Sequence, residues 1–266
     1  MTLFNYYLKQ SLSFMASFLF GALLYLLMIV YIYPTIEKMD GLEQMMKQMP
    51  KELNAIFNMS AGLKDINQFI AMEYYGMIFI ILMLCFSIML ANKIYGKAIE
   101  NKSFANILNL PFTRSSIMAM IQGSTIIAHM LLGIMMAFGC ILAINLIVDH
   151  PEYNFWNLFH LNVLGMVMFL IISLFTLTCM LIFNEVKYGL LCASSIALMM
   201  YGLSIGSKLS SDVEWMKYGT IFSLYDSAKI ASGDANVSLS YGICIIIIIC
   251  LFIINLVLFN RKNLSL

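Results

Sequence analysis

Residues 237–259 read VSLSYGICIIIIICLFIINLVLF, 23 positions without one charge. A helix rises about 1.5 Å per residue and the hydrocarbon core of a bilayer is about 30 Å thick, so roughly 20 apolar residues cross it. Water is absent there, so every backbone amide and carbonyl must be paired inside the segment, which a helix achieves. Five further runs share this character, near residues 14–33, 69–91, 117–148, 158–183 and 188–207. The composition agrees, with 62% hydrophobic and 11% charged residues and a mean hydropathy of +0.89, far from the balance of a soluble domain. The expected fold is an all-α integral membrane protein, one domain of six transmembrane helices over residues 1–266.

An even number of spans puts both termini on one side, and the basic residues choose which. With the termini inside, the inner segments hold Lys9, Lys93, Lys97, Lys102, Arg114, Lys187, Arg261 and Lys262 against Glu100 and Glu185, while the outer segments hold the other twelve of the fourteen acids. An N-in, C-in orientation follows. The first run could be taken for a secretory signal, but Lys9 is the only side-chain charge before it and no small-x-small site follows, so a retained helix is expected. All six cysteines fall inside expected spans, where they act as small apolar groups and imply no disulfide framework. A net charge of +1 offers no basic stripe for nucleic acid.

Between the spans, Leu3, Phe4, Tyr7, Leu8 and Leu12 recur at helical spacing opposite Asn5, Lys9 and Gln10, which predicts a short interfacial helix before the first span. The outer connections, 34–68 and 208–236, are expected to be helical. In the first, an apolar stripe from Leu42 to Phe57 is interrupted at Pro50. Such turns could cap the bundle, shield it or bind a substrate arriving along the membrane. The inner connection, 92–116, is basic, with Phe104, Ile107, Leu108 and Leu110 forming a helix-like apolar face before Pro111.

Several chemistries lack their residues. No phosphate-binding Gly-x-x-x-x-Gly-Lys motif occurs; the run from Gly202 to Lys208 has the wrong spacing, and Gly202 with Gly206 reads better as a close helix contact, like Gly133 with Ala137 and Gly139 with Ala143. No carboxylate lies in a span interior, where ion-coupled carriers usually place one. His129 is a candidate proton or metal site, although a neutral imidazole bonded to a neighbouring helix is the ordinary expectation. The 23 methionines are scattered and read as packing residues rather than metal ligands. Tyr25, Ser87 and Tyr201 are the candidate substrate-path residues, and the alternative for such polar groups is to bridge helices. No metal site and no catalytic residue is expected.

The inner connection resembles the motif between the second and third spans of ABC-2 type transporter permeases. There an acidic residue leads a Gly-Thr-Leu step, a leucine pair and then Pro-x-Ser-Arg. Glu100, Ser103, Phe104, Ile107, Leu108, Pro111, Thr113 and Arg114 match or nearly match in order and spacing. Lys102 stands where glycine is usual, and Met120 with Ile121 replace a frequent Gly-Lys. A Pro-x-Glu-Leu pattern at residues 50–53 and Ser-Leu-Tyr-Asp at residues 223–226 are also similar to this family.

The resemblance implies the membrane subunit of a bacterial plasma-membrane exporter. It would pair with a second permease, identical or homologous, and with two ATPase subunits that carry ATP and Mg; this chain would bind no cofactor itself. It implies a coupling helix, with Glu100, Phe104, Ile107, Leu108, Pro111 and Arg114 as contacts to the ATPase. An amphipathic peptide, antimicrobial or lipid-like compound is the expected substrate. The alternatives are a self-contained channel or ion-coupled carrier, a peptide-sensing immunity permease, and a basic loop that only neutralises anionic lipid.

Overall fold

The computed structural model describes residues 3–38, 65–101, 104–183, 185–209 and 211–262, without the side chains of Leu108 and Ser211. The expected amphipathic turns between Leu42 and Phe57 lie outside these residues, as do Lys102 and Ser103. The described residues form helices α1 (Leu3–Glu37), α2 (Ile66–Glu73), α3 (Ile78–Ala91), a π-helical turn (Asn92–Gly96), α4 (Lys97–Glu100), α5 (Phe104–Leu108), α6 (Arg114–Ile147), α7 (Phe155–Ile182), α8 (Val186–Gly206), α9 (Ser227–Ser232) and α10 (Val237–Arg261). Two 3₁₀ segments, Ser211–Gly219 and Ile221–Leu224, precede α9. Among the described residues six helices are long and apolar enough to cross a membrane.

Helix α7 is the axis of the bundle. It is apolar all round, and a helix of that kind needs neighbours on every side; α3, α6, α8 and α10 pack against it. Helix α10 buries only Cys244, Asn255 and Phe259. Helix α8 buries Val186, Gly189, Ala193 and Ala197, a seam of mostly small residues three or four apart that lets its backbone approach α7 closely. A Cβ on Gly189 would lie 2.7 Å from Met180 Cα.

The expected glycine contacts divide. Gly133 fits against α7, with Met166 Cγ 2.8 Å from a would-be Cβ, and Gly139 sits against Leu23 of α1. Gly202 meets nothing within 4 Å and Gly206 has only ordinary contact with Met216, so the pair proposed on spacing is not a tight helix seam.

Two expected boundaries change. The separate interfacial helix is absent: α1 is one helix of 35 residues, about 52 Å long. Its buried stripe runs without interruption through Leu3, Tyr7, Ser11, Met15, Leu19, Ala22, Leu26, Val30 and Tyr33, so the amphipathic start faces protein rather than a membrane surface. The single helix expected over 69–91 is broken between Glu73 and Ile78. Successive residues on a regular helix diverge by about 100°, yet Tyr74 and Tyr75 are both fully buried. The distortion turns both inward, where Tyr74 Oη donates to Ala22 O at 3.2 Å and Tyr75 Oη donates to Asn162 Oδ1 at 2.9 Å. Gly76 is required in the break because a Cβ there would lie 2.6 Å from Met72 O.

The helix ends gather the charges. Gln10 Nε2 donates to Lys93 O, and Asn260 Nδ2 donates to Ser115 Oγ, which brings the start of α1, the end of α3, the start of α6 and the end of α10 to one end of the bundle. Among the described residues that end holds Lys9, Lys93, Lys97, Arg114, Lys187, Arg261 and Lys262 against Glu100 and Glu185. The opposite end holds nine acids and four lysines.

Candidate functional site

Local sequence sets the shape of the basic connection. The π turn ends with Lys97 N–H donating to Asn92 O, and Gly96 accommodates it, since a Cβ there would collide with Asn92 Oδ1 and approach Val186 Cγ1 to 2.9 Å. Pro111 cannot donate a backbone bond and stops α5 from continuing into α6. Thr113 then caps α6, its Oγ1 accepting from Ser116 N at 3.2 Å.

The six residues expected to meet an ATPase have different surroundings. Glu100 is exposed at the end of α4, and Pro111 is exposed. Ile107 is half-buried against the core. Leu108 lies in α5, and its side chain is outside the described residues. Phe104 needs correction as a surface contact: it is fully buried, with its ring 5.6 Å from Tyr95 and 5.7 Å from Phe259. An aromatic side chain so enclosed fastens the loop to α10 and has no face left for a partner. Arg114 is exposed, and its Nη1 donates to Lys262 O at 2.9 Å.

Lys262 Nζ in turn donates to three carbonyls at the end of α7, Met180 O, Leu181 O and Phe183 O, at 3.0, 2.9 and 2.6 Å. These carbonyls have no partner within their own helix, so a cation there satisfies them and opposes the negative end of the helix dipole. Arg114 and Lys262 thus tie the loop and α6 to both α10 and the central helix. Beside this junction Leu110 and Phe112 are 41% and 39% exposed, flanking Pro111 in an apolar apex. Phe112 carries no helical periodicity and was not singled out by sequence; its proximity to Pro111 was the available signal.

The candidate path residues are not assembled into one site. Ser87 is fully buried beside His129 and Ser173. His129 Nδ1 lies 2.9 Å from Thr125 O, which can only accept, so Nδ1 carries the proton and Nε2 accepts. Ser173 donates its hydroxyl to Ser87 O at 2.7 Å, leaving Ser87 Oγ, 3.2 Å from Nε2, as the donor to the imidazole. This is a closed junction joining α3, α6 and α7. A second junction links Asn255 to Gln122, Thr178 and Leu174 O at 2.7 to 3.1 Å. Both satisfy buried polar groups by bridging helices.

Tyr25 and Tyr201 stand at the two ends of an aromatic chain. Tyr25 stacks on Tyr74, followed by Phe79, Phe169 and Phe222, which meets Tyr201, with successive centroids 5.5 to 6.2 Å apart. Tyr201 also lines a pocket of about 150 Å³ with Ser204, Lys208 and Tyr225 at the acidic end. Burial lowers the Lys208 pKa from its ordinary value, partly opposed by Asp226. Among the described residues no three His, Cys, Asp or Glu side chains group as metal ligands.

Comparison with family models, curated proteins and solved structures finds no match for this chain.

Proposed function

We propose that this chain is the membrane-spanning permease subunit of an ATP-driven exporter of the ABC-2 type. The basic end faces the cytoplasm by its charge. The apex Leu110–Pro111–Phe112 enters a groove of a separate ATPase subunit, and two ATPases and a second permease complete the transporter. Nucleotide can drive the membrane helices only through contacts that differ between their states.

The observation that carries this reading is the linkage of Arg114 to Lys262 O and of Lys262 Nζ to the end of α7. A displacement of the exposed apex reaches the central helix through these bonds, which is the mechanical connection a coupling loop needs. The sequence resemblance of 100–114 to the permease motif supplies the partner's identity. The substrate on this reading is an amphipathic peptide, antimicrobial or lipid-like compound, and the membrane is a bacterial plasma membrane.

The test is a photo-reactive residue in place of Phe112, with one in place of Leu142 as a control. Leu142 is 61% exposed near the far end of α6, away from the basic connection. Irradiation of native membranes should cross-link position 112, and not 142, to a protein carrying Walker motifs. Lipid adducts alone at position 112 would defeat the reading.

A further inference from the structure

A polar pocket of about 170 Å³ opens at the basic end between α1 and the π turn. Its volume is several times the share of liquid occupied by one water, about 30 Å³. Tyr7 and Gln10 of α1 form one wall, Lys93 and Lys97 the other, with Asn101 and Ile107 closing it from the connection. The walls are held together by the Gln10 Nε2 bond to Lys93 O at 3.3 Å.

Three features indicate an anionic ligand. Lys93 and Lys97 are four residues apart and line the same pocket, and neither has a carboxylate within ion-pair distance among the described residues. The Lys93 ammonium instead lies 4.9 Å from the Phe14 ring centroid, a contact that leaves its charge unneutralised. The same pocket also carries two side-chain amides, those of Gln10 and Asn101. That donor set suits a phosphate, which takes charge-assisted bonds from lysine and ordinary ones from amide.

The depth of the site selects the source of the phosphate. Lys93 and Lys97 fall in the last turns of the second candidate span, Ile78–Glu100, the level at which a helix leaves the hydrocarbon for the headgroups. The adjoining surface of α1 offers Tyr6, 51% exposed and also lining the pocket, beside which an acyl chain can run. Basic pockets between helices at this level are suited to anionic headgroups. We propose that this pocket binds the phosphate of one anionic phospholipid, with Lys93 and Lys97 as its principal donors. The lipid would then act as a wedge between α1 and the start of the connection. The site stands whether or not the chain couples to an ATPase.

The full chain, delipidated in mild detergent, tests this by native mass spectrometry during titration with phosphatidylglycerol or phosphatidylcholine. The wild type should retain one phosphatidylglycerol in preference to phosphatidylcholine. K93Q/K97Q should weaken that retention by about tenfold or more, whereas K9Q/K187Q, an equal loss of charge at the same end, should change it less than about twofold. Asn101→Ala removes a lining amide and should weaken retention with the charge unchanged, an independent check should the double variant fold poorly. Equal weakening by the two double variants, or no effect of Asn101→Ala, overturns the proposal. Displacement of the lipid by millimolar inorganic phosphate overturns the lipid assignment, because it shows a free-anion site.

Discussion

The ammonium of Lys262 donates to Phe183 O at 2.6 Å, with two further bonds to Met180 O and Leu181 O, so one side chain terminates the central helix of the bundle. Lys262→Met keeps the length and apolar stem but leaves three carbonyls uncapped. Hydrogen bonds to charged groups contribute about 1.5–3 kcal/mol, so the variant should lose roughly that much stability. In detergent this appears as a lower unfolding temperature by several degrees. Arg261→Gln, one position earlier, makes none of these bonds and should melt within about 0.5 kcal/mol of wild type.

His129 and Ser87 form one unit. His129→Leu strands the Ser87 hydroxyl in the interior and should cost about 1–3 kcal/mol. Ser87→Ala removes the donor instead, and the double variant should cost less than the sum of the singles because both act on one bond. A double-mutant cycle on thermal unfolding measures this; strict additivity would show that the bond contributes nothing.

Two glycines on α8 should respond oppositely to alanine. At Gly189 the new Cβ meets the Met180 backbone, which cannot yield as a flexible side chain can, so Gly189→Ala should destabilise by about 1–3 kcal/mol. At Gly202 nothing lies within 4 Å, and Gly202→Ala should stabilise by roughly 0.5–1 kcal/mol through the lower entropy cost of alanine in a helix.

At the acidic end Lys217 holds the Glu214 carboxyl below its ordinary range, first by the hydrogen bond and then by its charge. A depressed carboxyl pKa contributes stability above the unfolded value and loses it as pH falls through the folded one. Wild type should therefore melt slightly above Glu214→Gln at neutral pH and converge with it in acid. The difference stays small because the pair is exposed.

The six long helices were legible because a membrane reads hydrophobic length, a property of the sequence alone. Helix α10 was found within two residues of its ends for that reason. Packing was less legible. Gly189 and Gly202 look alike in sequence, and only the third dimension shows which faces α7. The kink at Tyr74–Gly76 leaves no trace in hydropathy, since two inward tyrosines and a glycine are as compatible with a straight helix. The apolar stripe that includes Leu3 and Tyr7 at the start of α1 suggested a membrane surface, whereas both positions face protein. Phe104 shows the same ambiguity in the connection: an apolar face reads alike whether it anchors a loop or meets a partner. Arg114 was chosen by motif, but its bond to Lys262 O joins residues 148 positions apart and no local pattern announces it.

Vanadate-sensitive ATP hydrolysis by the complex purified through this chain tests the proposed coupling most directly. Wild type should bring down a separate ATPase whose hydrolysis responds to the permease. Leu110→Ser with Phe112→Ser should lower that stimulated hydrolysis by about tenfold or more, as removal of central apolar anchors does at other interfaces, with the chain still stably inserted. Recovery of no ATPase, together with solute moved down an ion gradient by the purified chain alone in liposomes, would contradict the account.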